Sequence, residues 1–217
     1  MNQTLGSLVV ARPTLGPFFD TLGLDYCCGG HRSLEEAART RGLDPSTLKL
    51  LLDALPEDTL TPRSVGRPAA LPTPELIDHV VAVHHSFVRR ELPRLVTLAA
   101  RSAQAHGDAH PELFEVETGA RRLSEALLGH LSAEEDELFP KLRDGSVPSQ
   151  EFLAPYFGEH EEAGALLARF RHLTHDFSPP DDACATYREL LAGLAAFEAD
   201  LHEHVHLENN VLFARLV

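Results

Sequence analysis

The sequence predicts an all-α protein: a small helical unit followed by an antiparallel four-helix bundle. Two observations carry that prediction. Apolar residues recur at intervals of three and four along the chain, the period of helices with one buried face, and the alternating β-branched runs of a half-buried sheet are missing. Proline, glycine and capping residues then cut this pattern into short segments near the start and four long ones after a proline-rich stretch. At 217 residues the chain is long enough for one to two domains and a sizeable core.

Taken in order, Thr4–Val10 and Thr14–Leu22 read as short helices. Ser33-Leu34-Glu35-Glu36 has the capping-box order, a hydroxyl followed three residues later by a carboxylate, and opens a helix to about Arg41. Asp44-Pro45 places a capping side chain before a proline in the first turn and opens another to about Leu55. Residues 1–56 therefore make a small helical domain. Pro56, Pro62, Pro68 and Pro72, set among Thr, Ser, Gly and Arg, cannot hold a helix, and residues 57–72 read as a linker. Residues 73–217 form the bundle. Its first helix starts at Thr73-Pro74 and runs to about Ala105, with the stripe Ile77, Val81, Val88, Leu92, Leu95, Ala99 facing a core and a kink expected at Pro93. The second runs from about Pro111 to Leu142. The third ends near Asp176, with Pro155 in its first turn or at a kink, and the fourth follows Ser178-Pro179-Pro180, from about Asp181 to the C-terminus. Four amphipathic helices with short loops pack most simply as an antiparallel bundle.

Composition narrows the function. Nineteen basic against 33 acidic side chains give a net charge of −14, which opposes binding to polyanionic nucleic acid through its phosphates. No apolar run reaches the roughly 18 residues of a spanning helix, and the N-terminus lacks the basic-then-apolar layout of an export signal. The expectation is a soluble cytoplasmic protein with neither nucleic acid nor membrane as partner. Three cysteines, two of them adjacent, do not make the even framework of a disulfide-stapled secreted domain. The count that stands out is 13 histidines, since histidine is the commonest metal ligand.

Two of those histidines open a repeated motif. His130-Leu131-Ser132-Ala133-Glu134 is followed by Leu138-Phe139, and His204-Val205-His206-Leu207-Glu208 is followed at the same spacing by Leu212-Phe213. In both cases the motif lies on the second helix of a hairpin, and the first helix carries an inward histidine: His84 or His85 in one, His160 in the other. The chain reads as a duplicated helical hairpin. Positions i and i+4 differ by only about 40° around a helix axis, so each His and its Glu share a face. That face is the apolar one: His130 continues Val116, Leu123, Leu127, and His204 continues Leu190, Leu194, Phe197, Leu201. Histidines and glutamates converging in a core need a compensating charge, and a metal supplies it. This donor set has no thiolate for structural zinc, too few oxygens for calcium and too much nitrogen for magnesium, which leaves iron or manganese.

On these residues the sequence resembles the hemerythrin-like, HHE-type bundle and, more closely, the repair-of-iron-centres family of di-iron proteins. The resemblance rests on Asp25-Tyr26-Cys27-Cys28-Gly29-Gly30 in the N-terminal unit. In the bundle it rests on Ile77-Asp78-His79 with His85, His130-x-x-x-Glu134-Glu135, Glu159-His160-x-Glu162-Ala163-Gly164, and His204-x-x-x-Glu208-Asn209-Asn210. It implies the metal ligands His85, His130, Glu134, His160, His204 and Glu208, choosing His85 over His84. It implies two iron ions, bridged by an oxo or hydroxo group and by carboxylates. The symmetric arrangement puts His85 and His204 on one iron and His130 and His160 on the other, with Glu134 and Glu208 bridging. Such a set leaves about two coordination positions open to a diatomic, NO or O2, if each iron takes about six ligands. Oxygen-carrying hemerythrins of similar fold have five histidines with a Glu and an Asp; the smaller set here points to a reactive or exchangeable centre. The function implied is repair of iron–sulfur clusters damaged by oxidative or nitrosative stress, with iron delivery as one route and damaged iron–sulfur proteins as partners. A homodimer is compatible with this, and the electron donor is open. Two other readings stand beside it: a nitric oxide reductase at the di-iron site, and a module that senses or stores oxygen or iron.

Cys27 and Cys28 are the candidates for redox or transfer chemistry. They precede the helix capped by Ser33, whose positive end would favour thiolate, and Gly29 and Gly30 would permit backbone angles closed to other residues. His31 stands where relatives often carry a lysine. Cys184 reads as packing, and Glu135-Asp136-Glu137 as a solvated face. Glu159 and Glu162 flank a ligand and are candidates to hydrogen-bond a metal-bound imidazole. The remaining histidines read as solvated or supporting, His79 closest to a supporting role.

Overall fold

The computed structural model describes residues 3–55 and 68–216. Among these residues the chain is helical, its β pairing limited to an antiparallel bridge between Thr4 and Ser33. No described helix is long and apolar enough to cross a membrane. The described residues divide into two compact units, one drawn from Met1–Leu76 with His202–Val217 and the other from Ile77–Leu201.

In the first unit, the helices α1 (Leu5–Ala11), α2 (Leu15–Leu22), α3 (Leu34–Thr40) and α4 (Pro45–Ala54) start where capping chemistry dictates. The full reciprocal box closes at Thr4, whose hydroxyl accepts the Ser7 amide while the Ser7 hydroxyl accepts the Thr4 amide. Ser33 caps α3 by accepting the Glu36 amide at 3.2 Å, and Asp44 caps α4 by accepting the Thr47 amide at 2.8 Å. Gly23 ends α2 in the left-handed region at φ 64°. At the far end of α4 the Arg12 guanidinium donates to the carbonyls of Leu52 and Leu55, groups a helix end leaves without intrahelical donors. Leu5, Leu15, Phe19, Ala38, Leu48 and Leu52 make the core beneath. Of the linker, residues 57–67 lie outside the described residues, and Pro68–Ala70 forms one 3-10 turn. Arg215 donates to the Ala69 carbonyl and the Thr73 hydroxyl.

The second unit is the four-helix bundle. Its first helix is α5 (Thr73–Val80), which enters this unit at Ile77 and continues through a π-turn, Val81–His85, into α6 (Ser86–His106). The second is α7 (Glu112–Ala133), a π-turn Glu134–Leu138, and α8 (Phe139–Arg143). The third is α9 (Gln150–Leu173) and the fourth α10 (Ala185–Leu207), which leaves this unit at His202 and ends in a π-turn, Glu208–Leu212. Helix α6 packs on α7, and α7 on α9. The expected stripes are buried, Val81 excepted, which is half-buried: Ile77, Val88, Leu92, Leu95 and Ala99 on the first helix, Val116, Leu123 and Leu127 on the second, Leu190, Leu194, Phe197 and Leu201 on the fourth. Each of these side chains larger than alanine contributes about 1.5–3 kcal/mol by leaving water.

Three local expectations need correction. The three π-turns interrupt helices read as continuous, each beginning or ending on a candidate ligand. Of the two places offered for Pro155, the first turn is excluded, because the residue lies inside α9. Helix α9 stops at Leu173 because His175, Asp176 and Phe177 turn left-handed (φ 50°, 58° and 57°), with the Thr174 hydroxyl accepting the Phe177 amide, and α10 begins only at Ala185.

Candidate metal centre

The bundle unit places His85, His130, Glu134 and His160 together, all nearly or wholly buried. His85 closes the first π-turn and Glu134 opens the second, so the wider turn sits where each side chain enters the core. The Glu134 carboxylate is 0 % exposed, and neither oxygen has a hydrogen-bond partner. Its Oε2 stands 3.4 Å from His85 Nε2 and 3.5 Å from His130 Nε2. His130 Nε2 is in turn 2.9 Å from His160 Nε2, and the donor atoms of His130, Glu134 and His160 all lie within 4.8 Å of one another.

The ring nitrogens facing away from Glu134 explain this crowding. His130 Nδ1 donates to Glu159 Oε2 at 2.6 Å, and His85 Nδ1 donates to Glu135 Oε1 at 2.7 Å. Arg89 donates to the same Glu135 oxygen at 2.6 Å and, with His85, holds that carboxyl below the ordinary range against the opposing effect of burial. Once Nδ1 carries the proton, Nε2 of a neutral ring presents a lone pair. Two such lone pairs and a carboxylate would then face one another, an arrangement that a bound cation would relieve. Three imidazoles and a carboxylate are the donor types of a borderline transition ion such as iron, so the residues fit the metal their sequence implied. Phe139 stacks on His85 at 5.6 Å, and Tyr156 stands edge-on to His130 at 5.9 Å, walling the cluster.

The other unit contains His204 and Glu208, one helical turn apart at the end of α10, with His204 Nε2 2.9 Å from Glu208 Oε1 and both buried. They prolong the buried face of Leu194, Phe197 and Leu201.

The same unit holds the vicinal cysteines. Cys27 is buried and Cys28 half-buried; both are free thiols with Sγ atoms 4.0 Å apart. Asp25 organises the loop, its Oδ1 accepting the Cys28 amide at 2.9 Å and the Cys27 thiol at 3.3 Å. The low thiol pKa expected from the following helix is overturned for Cys27: the Cys28 thiol beside it and burial push Cys27 well above the ordinary value, and α3 begins only at Leu34. Nor do Gly29 and Gly30 adopt a positive φ. They are glycine for space, since a Cβ on Gly29 would meet the Asp25 carbonyl at 2.8 Å and one on Gly30 the Asn210 Oδ1 at 2.2 Å.

The supporting residues were legible in the sequence only in part. Glu135, read as part of a wet face, orients His85. Glu159 supports His130, whereas Glu162 faces Arg122 at 3.6 Å on the surface. His84, read as solvated or supporting, is buried with Nδ1 3.1 Å from Asp200, and the His79 ring is edge-on to it at 5.8 Å. Cys184 is exposed rather than packed, and the Tyr187 amide, with His106 beside it, lowers its thiol to about 7. The signal for Glu135 and Glu159 was their place next to a candidate ligand; which imidazole each would reach depends on the partner helix.

Comparison with known proteins agrees with this geometry. Residues 76–216 match the hemerythrin HHE cation binding domain, and residues 1–55 match a domain of unknown function, DUF542. A protein of Enterobacter sp. (strain 638), named iron-sulfur cluster repair protein YtfE, is 35 % identical over 216 residues, covering 99 % of this chain and 96 % of the relative. Its namesake from Escherichia coli O1:K1 / APEC is 34 % identical with the same coverage. A helical bundle with imidazoles and carboxylates buried at its core, joined to a thiol-bearing helical unit and alike over its whole length to these proteins, belongs to the iron–sulfur cluster repair family with a hemerythrin-type domain.

Proposed function

We propose that this chain holds two iron ions among His85, His130, Glu134, His160, His204 and Glu208 and uses them to restore damaged iron–sulfur clusters. The observation that carries the reading is the Glu134 carboxylate, wholly buried without a hydrogen-bond donor and approached by Nε2 of both His85 and His130. A carboxylate so placed is suited to bridge two cations, one on each imidazole. His160 joins His130, and the duplicated His-x-x-x-Glu spacing gives His204 and Glu208 the matching roles. When bound, the iron pair would supply redox chemistry and exchangeable metal for a depleted cluster. The protein's own part is to hold imidazole Nδ1 protons on Glu135 and Glu159, to fix Glu135 with Arg89, and to wall off water with Phe139 and Tyr156.

In this reading residues 1–56 carry the thiol chemistry through Cys27 and Cys28, residues 57–72 link, and residues 73–217 hold the metal. The partners are damaged iron–sulfur proteins, met in the cytoplasm. The repair activity is supported by the name that relatives bear across nearly the whole chain. The test is anaerobic: chain loaded with ferrous iron is analysed for metal and mixed with a dehydratase whose cluster has been damaged by peroxide or nitric oxide. Two irons per chain and recovery of dehydratase activity are expected, with recovery lost in Glu134→Ala. Absence of transition metal after loading would overturn the centre. Sustained nitrous oxide production from NO, without dehydratase recovery, would replace repair by NO reduction.

A further inference from the structure

We propose that Asn210 is a positioning residue that ties the thiol loop to the π-turn bearing Glu208, so that metal occupancy is transmitted to the reactivity of Cys27 and Cys28. The proposal rests on the di-iron reading for its metal dependence and on geometry within one unit for the tie. Asn210 lies two residues after Glu208 in the same turn, Glu208–Leu212. Its Nδ2 donates to the Cys27 carbonyl at 2.8 Å and to the Tyr26 carbonyl at 3.2 Å, and Asn209 reaches the Cys27 carbonyl at 3.5 Å.

The carboxamide occupies a slot that only glycines leave open. A Cβ on Gly6 would meet its Oδ1 at 2.4 Å and one on Gly30 at 2.2 Å. The Gly6 amide donates to the Gly30 carbonyl at 2.8 Å, which holds the two walls of the slot together. Residues just before Glu208 grip the same loop. The Tyr26 ring is edge-on to His206 at 5.4 Å and to His202 at 6.1 Å, and His202 Nδ1 is 2.7 Å from Asp20. The peptide units of Tyr26 and Cys27 are thus held by the helical stretch that flanks Glu208 on both sides. Any shift of that π-turn when Glu208 engages a cation moves the donor of the Cys27 carbonyl. Two backbone hydrogen bonds from one side chain, in a slot with no room for methyl groups, transmit such a shift better than surface packing does.

The experiment uses the full chain in a Cys184→Ser background, leaving Cys27 and Cys28 as its cysteines, and follows alkylation by iodoacetamide with and without ferrous iron. In the parent, iron should slow alkylation at least threefold. In Asn210→Ala, iron content should be retained while the ratio of metal-free to loaded rates falls to about one. If Asn210→Ala raises both rates by the same factor and keeps the parent ratio, the residue is merely structural and the coupling is overturned. Gly30→Ala, which leaves Asn210 in the chain but crowds it out of its slot, must abolish the ratio too; a parent-like ratio there also overturns the proposal. If the parent binds no iron, the di-iron reading fails. The tie itself is then judged on metal-free rates, where less than a twofold difference between parent and Asn210→Ala overturns it.

Discussion

Glu134 is a buried carboxylate whose oxygens lack hydrogen-bond partners, costly to the empty fold and suited to a cation. Keeping a buried carboxylate away from donors costs free energy that a bound cation would recover, so a neutral replacement should help the empty fold. Glu134→Leu is expected to raise metal-free stability by about 1–3 kcal/mol, read from denaturant midpoints, while abolishing iron binding. Glu135 and Glu159 act one step further out, each fixing the proton of an imidazole on Nδ1. Glu159→Gln should weaken iron affinity by about 10–100-fold, measured by competition with a chelator, because the amide holds the ring less firmly and makes Nε2 less basic. At the surface, Cys184 should alkylate with a pH midpoint near 7, since its thiol sits at about 7. Thiolate is the reactive form, so the rate climbs as pH rises through that value, and Cys184→Ser removes the fast phase.

Among the elements, the π-turns are the feature that sequence periodicity could not show. An amphipathic stripe is compatible with a local widening of the helix, because one extra residue in a turn leaves the flanking faces apolar; the choice is made by what the ligand side chains meet across the core. The starts of α1, α3 and α4 were legible because a capping bond lies within four residues of sequence. The end of α9 was not, since its left-handed residues carry no glycine. A second tertiary tie lies where α9 meets α10: Arg171 donates to both oxygens of Glu198, which is 3 % exposed, and its cation faces the Phe177 ring at 5.0 Å. Glu198→Ala should cost about 2 kcal/mol in urea unfolding, below the usual loss for a buried pair because the guanidinium is about a third exposed.

For the whole molecule, iron should act as a folding ligand. Metal at about a thousand times its dissociation constant stabilises the native state by about 4 kcal/mol. At roughly 2–4 °C per kcal/mol for a chain of this size, the loaded protein should melt about 8–16 °C above the chelated one. Equal melting temperatures by calorimetry would show that the buried donors do not hold the ion. The sequence by itself determined the helical class, the caps, the apolar stripes and the His-x-x-x-Glu pairs. Each of these is a local rule of periodicity or of hydrogen bonding within a turn or two. Only the tertiary structure decided that Glu135 serves His85, that Glu159 serves His130, and that Gly30 is open to admit Asn210. Those contacts join residues far apart in the chain, and no periodicity along one helix records which side chain stands opposite on another.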